Sequence, residues 1–217
     1  VKAGTGGEGG EDLSDPANGG LGDVLDLSGV AAPVTVTLTA NPETGTVGGL
    51  DGDGAADLSF SEIERLITGT GSDTINGGAG NDRIYGGAGD DRLTVDFTNF
   101  TGAPTDHFVT MESGTGADRM TISDGSSNET IPASRTIITD FDPAQDQLAF
   151  EVPVNAEFSQ FDLRVTSAFD AAGNFTLVTV NQALADGSQV PLTLIQLNGI
   201  TSFAPADLRL TQDPLEN

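Results

Sequence analysis

Residues 68–94 consist of three nonapeptides set head to tail: TGTGSDTIN, GGAGNDRIY and GGAGDDRLT. Asp73, Asp82 and Asp91 share the sixth position, and Ile75, Ile84 and Leu93 share the eighth. A fourth copy, SGTGADRMT at 113–121, puts Asp118 and Met120 in the same places, and its Asp is 118 − 91 = 27 residues on, so the phase of nine is kept. A flexible Gly/Asp linker has no reason to hold an aliphatic residue two places after each Asp. A structural repeat does: six residues turn, three extend, and the eighth side chain points inward because strand side chains alternate. Glycines at the second and fourth positions (Gly69, Gly71, Gly78, Gly80, Gly87, Gly89, Gly114 and Gly116) admit backbone with positive φ and let carbonyl oxygens converge.

The run GGAGNDRIYGGAGDDRL resembles the RTX, or haemolysin-type, calcium-binding repeat, whose consensus is G-G-x-G-x-D-x-U-x. The resemblance extends, more weakly, from about residue 23 to 217, with ITDFDPAQDQLAF similar to the segment that closes the roll in this family. It implies an all-β fold: a right-handed parallel β-roll closed by a C-terminal β-rich cap. It also implies calcium-dependent folding outside the cell after type I secretion with an uncleaved C-terminal signal. By position, the family's ligands fall on the carboxylates of Asp73, Asp82, Asp91 and Asp118, with carbonyls from the glycine turns around them. Two nonapeptides complete one coil, so Asp73 and Asp91 stack about 4.8 Å apart. Bare carboxylates that close repel; a Ca2+ ion, which takes six to eight oxygens, reverses the sign. Repeats one and four depart from the pattern, with Thr68 and Ser113 in place of the first Gly, and residues 95–112 interrupt it.

Composition narrows the function classes. With 33 acidic and 8 basic residues the formal charge is −25, so no basic patch for nucleic acid or an anionic membrane can be assembled. There is no Cys, which removes disulfides and thiolate metal sites and leaves calcium as a candidate staple. No apolar run approaches the roughly 18–20 residues of a membrane span. The chain begins with Val and shows no cleavable secretory signal, which fits a fragment, a processed product or export without an N-terminal signal.

Three regions are expected: a Gly-rich acidic linker at 1–22, the roll with degenerate leading coils at 23–125, and a cap with the secretion signal at 126–217. The last holds 7 of the 11 Phe. SFSEIERL is the only short helical candidate. DGDGAADLSFSE (51–62) has acids at EF-hand positions 1, 3, 7 and 12 but lacks the Gly at position 6, so a worn roll turn is preferred. Asp140, Asp142 and Asp146 fit either a capping calcium site or a solvated turn. His107 is the single histidine, too few for H-E-x-x-H zinc chemistry and without partners for a Ser-His-Asp arrangement. GGAG lacks the Lys of a phosphate loop. The expectation is an extracellular, non-catalytic calcium-binding module. Self-association in a surface layer or filament, a cell-surface polysaccharide partner, and an accessory role in a larger polysaccharide-active or proteolytic enzyme stay open as alternatives.

Overall fold

The computed structural model describes residues 2–3, 24–38, 44–51, 55–61, 63–78, 82–97, 108–123, 134–152, 161–170, 173–184 and 186–212. Gly80 and His107 lie outside them. Strands are numbered in chain order. One sheet runs β1 (Lys2–Ala3), β2 (Val24–Asp26), β6 (Arg65–Ile67), β8 (Arg83–Tyr85), β10 (Phe108–Glu112), β12 (Ser134–Ile138), β16 (Gln189–Asn198), β15 (Gly173–Ala183), β14 (Phe161–Asp170). The other runs β17 (Leu208–Thr211), β13 (Gln147–Glu151), β11 (Arg119–Ser123), β9 (Arg92–Asp96), β7 (Thr74–Asn76), β3 (Thr35–Leu38), β4 (Thr44–Gly48), β5 (Ala56–Ser61). From β6 to β13 the chain alternates between sheets, and neighbours within each sheet are parallel. This is the all-β parallel roll that the nonapeptides imply.

The eighth-position residues make the core because each coil sets the next one in register. In one sheet Val36, Ile75, Leu93, Met120, Leu148 and Leu208 stack as paired neighbours. In the other, Leu25, Leu66, Ile84, Met111, Ile138 and Leu197 do the same. All twelve are buried, and each fully buried aliphatic side chain contributes on the order of 1.5–3 kcal/mol. Met111 belongs to a stretch that shows no repeat in the sequence, yet it fills its rung.

Three features depart from a uniform coil. The step from β9 to β11 takes 27 residues where β7 to β9 takes 18, and the excess falls between Asp96 and Phe108. Thr44–Gly48 and Ala56–Ser61 pair antiparallel at the edge of the second sheet instead of adding a parallel coil, and SFSEIERL divides between β5 and β6 without a helix. After β13, β14, β15 and β16 form an antiparallel meander that joins the first sheet through β16, while β17 joins the second. Both sheets therefore run without a break across residue 125.

Candidate metal-binding edge

Four turns, those leading into β7, β9, β11 and β13, stack along one edge of the roll, and an Asp stands last in each. Asp73, Asp91 and Asp118 are 1% exposed. The backbone N–H of each donates to Oδ1 of the next: Asp73 to Asp91 at 2.7 Å, Asp91 to Asp118 at 2.9 Å, Asp118 to Asp146 at 3.0 Å. At the other end the Val34 N–H donates to Oδ1 of Asp73 at 2.8 Å. The predicted stacking of Asp73 on Asp91 is thus present, and it continues to Asp118 despite the longer coil.

The second carboxylate oxygens differ along this column. Oδ2 of Asp73 accepts from the Gly69 N–H at 3.3 Å, and Oδ2 of Asp146 from the Asp142 N–H at 2.8 Å. Oδ2 of Asp91 and of Asp118 are buried and accept no hydrogen bond. A buried anionic oxygen in that position costs several kcal/mol unless something positive or a proton reaches it. Burial accordingly pushes the Asp91 carboxyl up to about 7, with the charges of Asp73, Asp118 and Asp90 adding to it and the Asp73 N–H opposing. Burial also raises Asp73, Asp118 and Asp146.

Glycine shapes the rest of the edge. Gly87 and Gly114 hold φ of 98° and 99° in the left-handed region, and a Cβ on either would run into the carbonyl oxygen of the glycine stacked below, Gly69 or Gly87. Gly71, Gly89 and Gly116 stack in the same way one step along. These close approaches bring the turns near enough to bond directly, with the Ala88 N–H on the Gly69 carbonyl at 2.9 Å and the Thr115 N–H on the Gly87 carbonyl at 3.0 Å. At the first position, a Cβ on Gly86 would lie 2.8 Å from Oδ2 of Asp91. Thr68, which replaces that Gly in repeat one, is buried and its hydroxyl donates to the Gly86 carbonyl at 2.6 Å.

Asp82 sits on the opposite edge, where Gly78 has φ 64°. It is buried, and its backbone stacks between Glu64 and Val109: the Arg83 N–H donates to the Glu64 carbonyl at 2.8 Å and the Thr110 N–H to the Asp82 carbonyl at 2.9 Å. Glu64 is an acid outside the nonapeptide pattern, although it lies 82 − 64 = 18 residues before Asp82, the length of one coil. Val109 brings no carboxylate to its rung. Among the described residues no three His, Cys, Asp or Glu side chains gather round one point. An ion here would draw most of its oxygens from backbone carbonyls.

A family model described as the RTX calcium-binding nonapeptide repeat (4 copies) matches residues 60–94. The chain carries an RTX-type β-roll. Calcium is the ion that RTX repeats bind. A search of curated proteins finds no match. Among solved structures, the RTX roll is similar to the solution structure of the AlgE6R3 subunit from the Azotobacter vinelandii mannuronan C5-epimerase. The identity is 22% and the TM-score 0.42, over 66% of this chain and 76% of that one. Among the described residues, no helix is long and apolar enough to cross a membrane.

Proposed function

We propose that this chain is an extracellular calcium-binding module that folds when it meets calcium and has a structural rather than a catalytic role. The observation that carries the reading is the pair of buried, hydrogen-bond-free oxygens, Oδ2 of Asp91 and Oδ2 of Asp118, on one edge of the roll. Calcium suits them: it is a hard cation that takes carboxylate and carbonyl oxygens, and the edge offers both. The proposed ligand carboxylates are Asp73, Asp91 and Asp118 on this edge and Asp82 with Glu64 on the other. The turn carbonyls around Gly69, Gly71, Gly78, Gly87, Gly89, Gly114 and Gly116 complete the set. Residues 23–125 form the roll in this reading, and 126–217 complete its two sheets.

Folding and binding are coupled because each site joins turns that lie 18 to 27 residues apart in the chain. Without the ion the column concentrates carboxylates and demands costly glycine ordering. Circular dichroism in chelator, in magnesium and in calcium tests this. Millimolar calcium, the range of external modules, should convert a largely disordered spectrum into a β spectrum cooperatively. Identical spectra in all three would sink the reading.

Self-association is a second reading, favoured by the 10-residue strand β14 at the outer edge of the first sheet. An open strand of that length is a template for pairing with another copy. Light scattering with and without calcium separates a monomer from a growing assembly.

A further inference from the structure

The fourth turn of the column is built differently from the other three. It spans Asp140 to Asp146 and contains no glycine. Each of its six carboxylate oxygens accepts a hydrogen bond. Asp140 takes the Ser113 N–H on Oδ1 at 3.0 Å and the Gly114 N–H on Oδ2 at 2.7 Å. Asp146 takes the Asp118 N–H on Oδ1 and the Asp142 N–H on Oδ2. Asp142 takes the Ala144 N–H on Oδ1 at 2.9 Å and the Gln145 side-chain amide on Oδ2 at 2.7 Å. Asp91 and Asp118, by contrast, each keep one buried oxygen without a donor.

The turn also has an anchor that the glycine turns lack. Phe141 points into the core, 5% exposed, and meets Phe203 edge to face with ring centroids 5.9 Å apart. Its position is therefore set by aromatic packing and by N–H donors, two interactions that need no ion.

We infer that the Asp140–Asp146 turn is a metal-independent terminator of the calcium column. Its carboxylates take the place that a further calcium turn would fill, receiving the N–H groups of the Ser113–Asp118 turn, so that Asp118 is the last carboxylate of the edge to hold an ion. The inference rests on the calcium reading above. It divides seven acids of this edge into ion ligands and acceptors that hold no ion: Asp73, Asp91 and Asp118 are the ligands, and Asp90, Asp140, Asp142 and Asp146 are acceptors alone. Asp90 is already engaged, accepting the Ala117 N–H at 2.9 Å.

Native mass spectrometry of the full chain in calcium counts the ions. Asp118→Asn should lose at least one ion. Asp140→Asn and Asp146→Asn should keep the full count and lower the melting temperature in saturating calcium by about 2–4 °C per lost bond worth 1 kcal/mol. Loss of an ion from Asp140→Asn or Asp146→Asn, with Asp118→Asn behaving as expected, overturns the terminator and leaves the calcium edge standing. A full count in Asp118→Asn overturns both. Should Asp146→Asn fail to fold, Asp142→Asn decides, because its side chain bonds only within the turn. An unchanged ion count supports the terminator, and a lost ion places a calcium site there.

Discussion

The backbone N–H of Asp91 reaches Oδ1 of Asp118 at 2.9 Å across 27 residues of chain. This one bond shows that the carboxylate column is a property of stacked turns, since its neighbour above spans 18 residues and bonds in the same way. Asp91 and Asp118 each serve two coils: Oδ1 accepts from the previous coil, and the buried Oδ2 is left without a hydrogen bond. Replacing such a residue removes a ligand and leaves a buried N–H without its acceptor.

Asp91→Ala should therefore raise the calcium midpoint strongly. The orphaned Asp73 N–H alone costs about 1–3 kcal/mol, before any loss at the ion. Asp57→Ala is the comparison, because Asp57 accepts only the Leu50 N–H in the β4–β5 hairpin. Calcium titrations followed by circular dichroism should show the larger shift for Asp91→Ala. Equal shifts would mean that the column is not where calcium acts.

The pH response of the metal-free chain has a definite sign. Burial and neighbouring charges raise the Asp91 carboxyl from 3.8 to about 7 in the folded edge, and Asp73, Asp118 and Asp146 move the same way. Between those values the folded state holds protons that the unfolded chain has released. Stability without metal then falls as pH rises from about 4 to about 7. In chelator, β-structure should be greater near pH 5 than near pH 7.5, and calcium addition at intermediate pH should release protons. Proton release measured in weak buffer, and a chelator spectrum indifferent to pH, are the confirming and opposing results.

Gly114→Ala tests the close approach of turns. The new Cβ would strain a φ of 99° and meet the Gly87 carbonyl, whereas Gly29 has a φ outside the left-handed region and open space around it. Gly114→Ala should lower the melting temperature in calcium by several degrees, while Gly29→Ala should leave the stability within about 0.5 kcal/mol of the parent. Comparable melting curves for the two would remove the packing argument.

Leu93→Ala removes a rung from the middle of a spine, between Ile75 and Met120. The expected loss is about 2–5 kcal/mol, read as a lower denaturant midpoint in saturating calcium. An exposed substitution such as Thr74→Ala on the adjacent strand should have little effect.

The repeats made much of this visible in advance. Ile75, Ile84, Leu93 and Met120 are all buried, because a period of nine with alternating strand side chains leaves the eighth position no other direction. The stacking of Asp73 on Asp91 followed from the same count. Other parts left no periodic trace. Met111 fills a rung from a stretch without the nonapeptide pattern, since an inward strand position demands only an apolar side chain. Glu64 hides because Glu replaces Asp in a turn with no glycine. The antiparallel pairing of β4 with β5 depends on a chain reversal between them, and alternation alone does not distinguish that from a parallel coil. The Phe141–Phe203 contact joins residues 62 positions apart, 203 − 141, with no repeat to announce it.

The long step from β9 to β11 has a further consequence. In the chain the additional residues fall between β9 and β10, whereas the turns that carry Asp91 and Asp118 lead into β9 and β11. That connection can thus gain or lose peptide while the column keeps its spacing. The column edge must conserve distances to within the reach of a hydrogen bond. Between β9 and β10 a chain of this design can accept foreign sequence, or change its surface, without disturbing the Asp73–Asp146 column.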